Sequence, residues 1–122
     1  MQHTLTRERA SSWSWILQAI TGVLVIILIS VHMIFQHFVA AGGLRTYADV
    51  MAYIRTPFFL GWETLFLIVV TWHALLGVRA IALDFGLKRS IERAFNWVLI
   101  VIGAGTIIYG LWLTFTIISR AG

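Results

Sequence analysis

Apolar positions along the chain fall into three long blocks separated by short polar stretches, with no strand-like alternation. The first block runs from about residue 14 to 39, and its central part, 19–35, carries no charged residue. The second covers about 58–83, broken only by Glu63 near one end and Arg79 near the other. The third covers about 94–118 without any charge. Each exceeds the ~20 apolar residues that a helix needs to cross a bilayer. Between the first two blocks, Ala40-Ala41-Gly42-Gly43 interrupts the pattern and a segment at about 44–56 follows, stopped by Pro57. There Leu44, Tyr47, Met51 and Ile54 share one helical face, with Arg45 and Asp49 away from it and Arg55 at the end. That pattern predicts a short amphipathic helix lying along the membrane surface. The expected fold is all-α: a single integral membrane domain over 1–122, with three transmembrane helices and one interfacial helix.

Composition agrees with this. Of 122 residues, 60% are hydrophobic and 11% charged, with a mean hydropathy of +0.90, too little polar surface for a soluble domain of this size. The absence of cysteine removes disulfides, zinc–thiolate sites and iron–sulfur ligation from this chain. A net charge of +4 invites a nucleic-acid reading. Nearly all the basic residues flank the apolar blocks, however, where they fix membrane topology. Arg7, Arg9, Lys88, Arg89 and Arg93 lie on one side, and Arg45, Arg55 and Arg120 on the other. The excess predicts an N-terminus and second turn on the cytoplasmic side. The first block begins by about Trp13 and runs too long for a signal-peptide core, so it is expected to stay as a helix.

The chemistry lies in the histidines. A histidine inside a span is costly to desolvate and needs a partner or a function; His32 in the first span and His73 in the second are such residues. Either could simply hydrogen-bond a neighbouring helix. On the second helix, however, Gly77 lies one turn below His73 at about 40° and Asp84 three turns below at about 20°. A histidine above a glycine offers a ligand atom and room for a flat macrocycle. Arg79 lies about 120° off this stripe, where it suits a propionate or an anionic partner surface, or snorkels as a topology charge. On the first helix Ser14, Gln18, Thr21 and His32 lie within about 60° of one another, marking the face turned into the bundle. His37 lies about 140° from His32 and ranks behind it as a ligand. The two spans run in opposite directions, so His32 and His73 differ in height by roughly 10 Å. Two axial ligands of one haem would face each other at one level. Each histidine therefore pairs with one from a neighbouring chain, giving two haems, or only one of them is a ligand. In the third span Asn96, Gly103, Thr106, Gly110 and Thr114 form a small-residue face for close helix packing.

His73-Ala-Leu-Leu-Gly77-Val-Arg79, followed by Asp84-Phe85-Gly86, resembles the second-helix motif H-x3-G-x-R-x4-D-x-G of the cytochrome b membrane anchors of succinate dehydrogenase and fumarate reductase. Ala19-Ile20-Thr21-Gly22 is similar to the family's R-x-T-G segment, and His32 followed by His37-Phe38 resembles the smaller anchor of two-haem members. The resemblance covers nearly the whole chain. It implies haem b, one or two, with His73 as inner ligand, shared with a second membrane anchor subunit. It also implies a flavoprotein and an iron–sulfur subunit on the cytoplasmic face, electrons passing to quinone, and a prokaryotic cytoplasmic membrane. Asp84 matches an acidic residue near the family's quinone pocket, to which Ser14, Trp15 and Gln18 stand at the right depth to contribute. Ala19 replaces the arginine of R-x-T-G, and Phe85 a tyrosine that often follows the acidic residue; both help hold quinone in the family. Succinate oxidation itself has no place in this chain, which lacks a nucleotide-binding signature and a soluble domain large enough for flavin. A haem-free structural anchor and a small transporter subunit are the alternatives, the latter disfavoured by the scarcity of charge inside the spans.

Overall fold

A computed structural model of the chain describes residues 2–39, 42–43 and 46–120, with residues 2–11 described by their backbone alone. It is built of helices: α1 (Gln2–Ile34), which continues as a π-helical turn over Phe35–Val39, α2 (Tyr47–Arg55), α3 (Pro57–Asp84) and α4 (Arg89–Arg120). Three stretches are long and apolar enough to span a bilayer, Ser12–Val39, Pro57–Asp84 and Arg89–Arg120. The predicted architecture is therefore present, with α1 and α4 starting earlier than the apolar blocks they contain.

The central helix is α3, packed against α1 on one side and α4 on another. Its apolar residues encircle it, as suits a helix with protein on two sides and lipid elsewhere. Against α4 the approach is set by glycine: Gly103 lies on Leu75, and a Cβ at Gly110 would stand 2.6 Å from Leu67 Cδ2. The small-residue face of the third span thus does pack, in part. Thr106 stays exposed and donates its hydroxyl proton to the Ile102 carbonyl.

The end of the bundle that carries the link from α1 to α2 is termed outer and the opposite end inner; at the outer end α2 folds back onto α3. Thr46 and Asp49 close a capping box, the Asp49 N–H donating to Thr46 Oγ1 at 3.1 Å and the Thr46 N–H to Asp49 Oδ2 at 2.9 Å. The apolar face predicted for α2 is buried in part, at Met51 and half-buried Ile54, and Tyr53 outside that face is buried with it. Met51 and Tyr53 are buried while Tyr47 is exposed, and Leu44 and Arg45 lie outside the described residues. The cause is an aromatic anchor: Tyr53 stacks on Phe59 with ring centres 4.4 Å apart, and Phe59 also meets Phe35 at 4.9 Å. Pro57 occupies the first turn of α3, where its missing N–H costs nothing. Gly86, with φ +66°, ends α3 by donating its N–H to the Leu83 carbonyl at 3.0 Å.

Little is enclosed. Leu28, Met51, Tyr53 and Leu99 are the buried large side chains among the described residues, while Trp13, Trp15, Trp97 and Phe115 stand exposed. Such a surface demands lipid or another membrane protein around it.

Candidate functional site

The polar residues of α1 and α3 meet in layers. From the inner end outward, Ser14 meets Arg79, Gln18 meets Gly77, Thr21 and Gly22 meet His73, and His32 meets Glu63. The two stretches singled out in the sequence, Thr21-Gly22 on one helix and His73-x3-Gly77 on the other, thus face each other.

His73 Nδ1 lies 3.1 Å from Thr21 Oγ1. The threonine hydroxyl has one proton, and the Leu17 carbonyl, 2.7 Å away, takes it. Toward His73 the oxygen is therefore an acceptor, Nδ1 carries the hydrogen, and the other ring nitrogen keeps its lone pair. Gly22 makes room for this ring, since a Cβ there would stand 3.2 Å from His73 Cε1. Gly77 also makes room, but for a side chain: a Cβ at Gly77 would stand 3.2 Å from Gln18 Nε2. In this chain the space over Gly77 is filled by Gln18, so the glycine that cradles the imidazole is Gly22, on the other helix. Acceptor and cradle together fit an axial haem ligand at His73, one nitrogen fixed and the other available.

One turn inward, Ser14, Trp15, Gln18, Arg79, Asp84 and Glu92 line a cavity of about 510 Å³ between the inner ends of α1, α3 and α4. It gathers all four residues that the sequence offered for quinone. Arg79 stands here and not beside His73. Its Nε donates to Asn96 Oδ1 at 2.9 Å, one terminal nitrogen donates to Ser14 Oγ at 3.4 Å, and the other lies 3.7 Å from Glu92 Oε1. With partners on α1 and α4, Arg79 ties the inner ends of three helices together instead of snorkelling away from them. Gln18 Oε1 is buried without a hydrogen-bond partner among the described residues.

His32 occupies a different environment. Its Nδ1 lies 2.9 and 2.8 Å from the two carboxylate oxygens of Glu63, and Gln36 Nε2 stands 3.2 Å away. Tyr53 donates its hydroxyl proton to Glu63 Oε1 at 2.7 Å. Burial first, then the neighbouring carboxylate, push the Tyr53 phenol above its usual value and keep that proton on the tyrosine. The Phe66 ring lies 5.1 Å from the imidazole. His37, in the π-helical turn, is exposed. Eleven residues on α1 and ten on α3 separate the two histidine layers, or about 15 Å at 1.5 Å per residue. That exceeds the roughly 10 Å expected from the sequence and rules out one shared iron within this chain.

Sequence reasoning missed Glu63, Tyr53 and Gln36. Glu63 was visible as an acid inside a span, and such a residue needs a named partner. Its link to Tyr53 was not readable, because it depends on how α2 docks.

Over residues 2–117 the sequence matches the family described as succinate dehydrogenase/fumarate reductase transmembrane subunit. It is 34% identical over 104 residues to a succinate dehydrogenase hydrophobic membrane anchor subunit of Archaeoglobus fulgidus, covering 85% of this chain and 88% of that one. A protein of the same description from Thermoplasma acidophilum is 27% identical over 93 residues, 76% of each chain. The succinate dehydrogenase 2 membrane subunit of Mycobacterium tuberculosis is 28% identical over 112 residues, 86% of this chain and 82% of that one. With its three apolar helices and a match along nearly all its length, the chain belongs to the succinate dehydrogenase/fumarate reductase transmembrane subunit family, as a membrane anchor.

Proposed function

We propose that this anchor binds haem b through His73 and, at a second site, through His32. In this role it tethers the flavoprotein and iron–sulfur subunits of a succinate–quinone oxidoreductase to a prokaryotic cytoplasmic membrane and helps deliver electrons to quinone. The observation that carries the proposal is the His73 layer, where Thr21 accepts from Nδ1 and Gly22 leaves space for the ring. Haem b, when bound, supplies a one-electron carrier. The chain's own contribution is to fix two imidazoles about 15 Å apart along the bundle, which calls for two haems, each completed by a ligand from a second anchor subunit. The cavity below His73 suits a quinone headgroup: Ser14 and Gln18 offer hydrogen bonds to its oxygens, Trp15 a flat apolar wall, and Asp84 a carboxylate at the inner rim that can exchange protons with water. Arg7 and Arg9 near the start of α1, with Lys88, Arg89 and Arg93 around the turn from α3 to α4, favour the cytoplasmic side for this cavity.

A haem-free anchor is the second reading, favoured by one observation: each histidine already has a partner on the facing helix. A dithionite-reduced spectrum of the purified complex separates the two. A b-type α-band, with haem counted against flavin by pyridine haemochrome, supports the first. A colourless complex that still reduces quinone establishes the second.

A further inference from the structure

Three atoms compete for His32 Nδ1: both oxygens of Glu63 at 2.8 and 2.9 Å and the Gln36 amide at 3.2 Å. One ring nitrogen cannot donate to the acid and accept from the amide at once. The carboxylate contact is shorter and charge-assisted, so Nδ1–H donates to Glu63. The Gln36 amide is isosteric on rotation by 180°, and with its oxygen turned inward it accepts as well. The carboxylate is itself held in place, since Tyr53 donates to Oε1 from α2, across the joint at Thr56. An acid placed within a membrane helix is costly and needs compensation. Here it is given two donors from two other elements.

We propose that Glu63 is a positioning residue for His32: its carboxylate accepts a hydrogen bond from Nδ1–H, which presents Nε2 as the ligand atom, and Tyr53 holds that carboxylate in place. The inference rests on the haem assignment above. A carboxylate accepting from a ligand imidazole makes the imidazole a stronger electron donor, which favours the oxidised iron. Thr21 gives His73 only a neutral acceptor. The two ligands of this chain are thus tuned differently, one by an acid and the other by a hydroxyl.

The test is made in the whole purified complex, by redox titration of each haem's α-band alongside haem per flavin. In Glu63→Gln the amide oxygen still accepts, so both haems stay. The haem that is lost in His32→Ala titrates at a higher potential in this variant, while the other is unmoved. In Tyr53→Phe the carboxylate loses a donor and leans harder on the imidazole, so the same haem moves to a lower potential, by less. Opposite signs in the two variants are the expected signature, because a merely structural disturbance moves both alike. Unchanged potentials, or shifts of one sign, overturn the role of Glu63 while leaving the haem assignment standing. Full haem content in His32→Ala overturns both together. If Glu63→Gln fails to assemble, the sign in Tyr53→Phe decides.

Discussion

Two layers of the α1–α3 interface hold the same side chain by different means. At the inner layer an imidazole rests on Gly22 and donates to a threonine whose own hydroxyl donates to the backbone. At the outer layer the imidazole donates to a carboxylate, braced from a third helix by a tyrosine. The inner arrangement uses only residues of α1 and α3, so it forms when those helices pack. The outer one also needs α2 docked by Tyr53 and Phe59. One histidine is fixed by helix packing and the other by a hydrogen-bond chain running to α2.

Substitutions on one side of this comparison should leave the other side alone. The largest effect is expected from Gly22→Leu. Its side chain must displace the His73 ring, at about 1–3 kcal/mol of overpacking, and the inner haem band should be mostly lost while the outer one is kept. Gly22→Ala, with its Cβ 3.2 Å from Cε1, asks only for a small shift and serves as the control. Thr21→Val comes next. It keeps the shape but leaves the His73 N–H unpaired, costing about 1–3 kcal/mol. Haem affinity at the inner site should fall by ~10–100-fold, read by haem loss on dilution of the reduced complex. Gln36→Leu is the mildest. His32 keeps Glu63 as acceptor, so the outer haem should stay bound with an affinity change of less than about tenfold, or ~1 kcal/mol. Loss of both bands in any of these variants would show that the two sites are not independent.

The sequence displayed the spans because lipid imposes a coarse rule, long apolar blocks with charges at their ends. It also displayed the polar face of α1, since Ser14, Gln18 and Thr21 recur at helical spacing and all meet α3. Pairing across helices was not readable. Gly77 beneath His73 looked like room for a macrocycle, yet the crossing of α1 brings Gln18 to that position and Gly22 to the ring. Arg79 looked suited to a propionate or an anionic partner surface, or to snorkelling as a topology charge. The glycine-mediated approach of α4 brings Asn96 and Glu92 to it. The burial of Tyr53 in α2 was not readable for a similar reason. Tyr53 lies about 120° from Tyr47 on the helix, and only the stacking on Phe59 and the bond to Glu63 turn it inward.

The central claim is that His73 and His32 each hold a separate haem. The most direct measurement is haem per flavin in the purified complex, by pyridine haemochrome, for the unaltered protein, His73→Ala and His32→Ala. Two haems falling to one in each variant, with different α-bands surviving, is the predicted result. An unchanged count in His73→Ala, or loss of the same single haem in both variants, would contradict it.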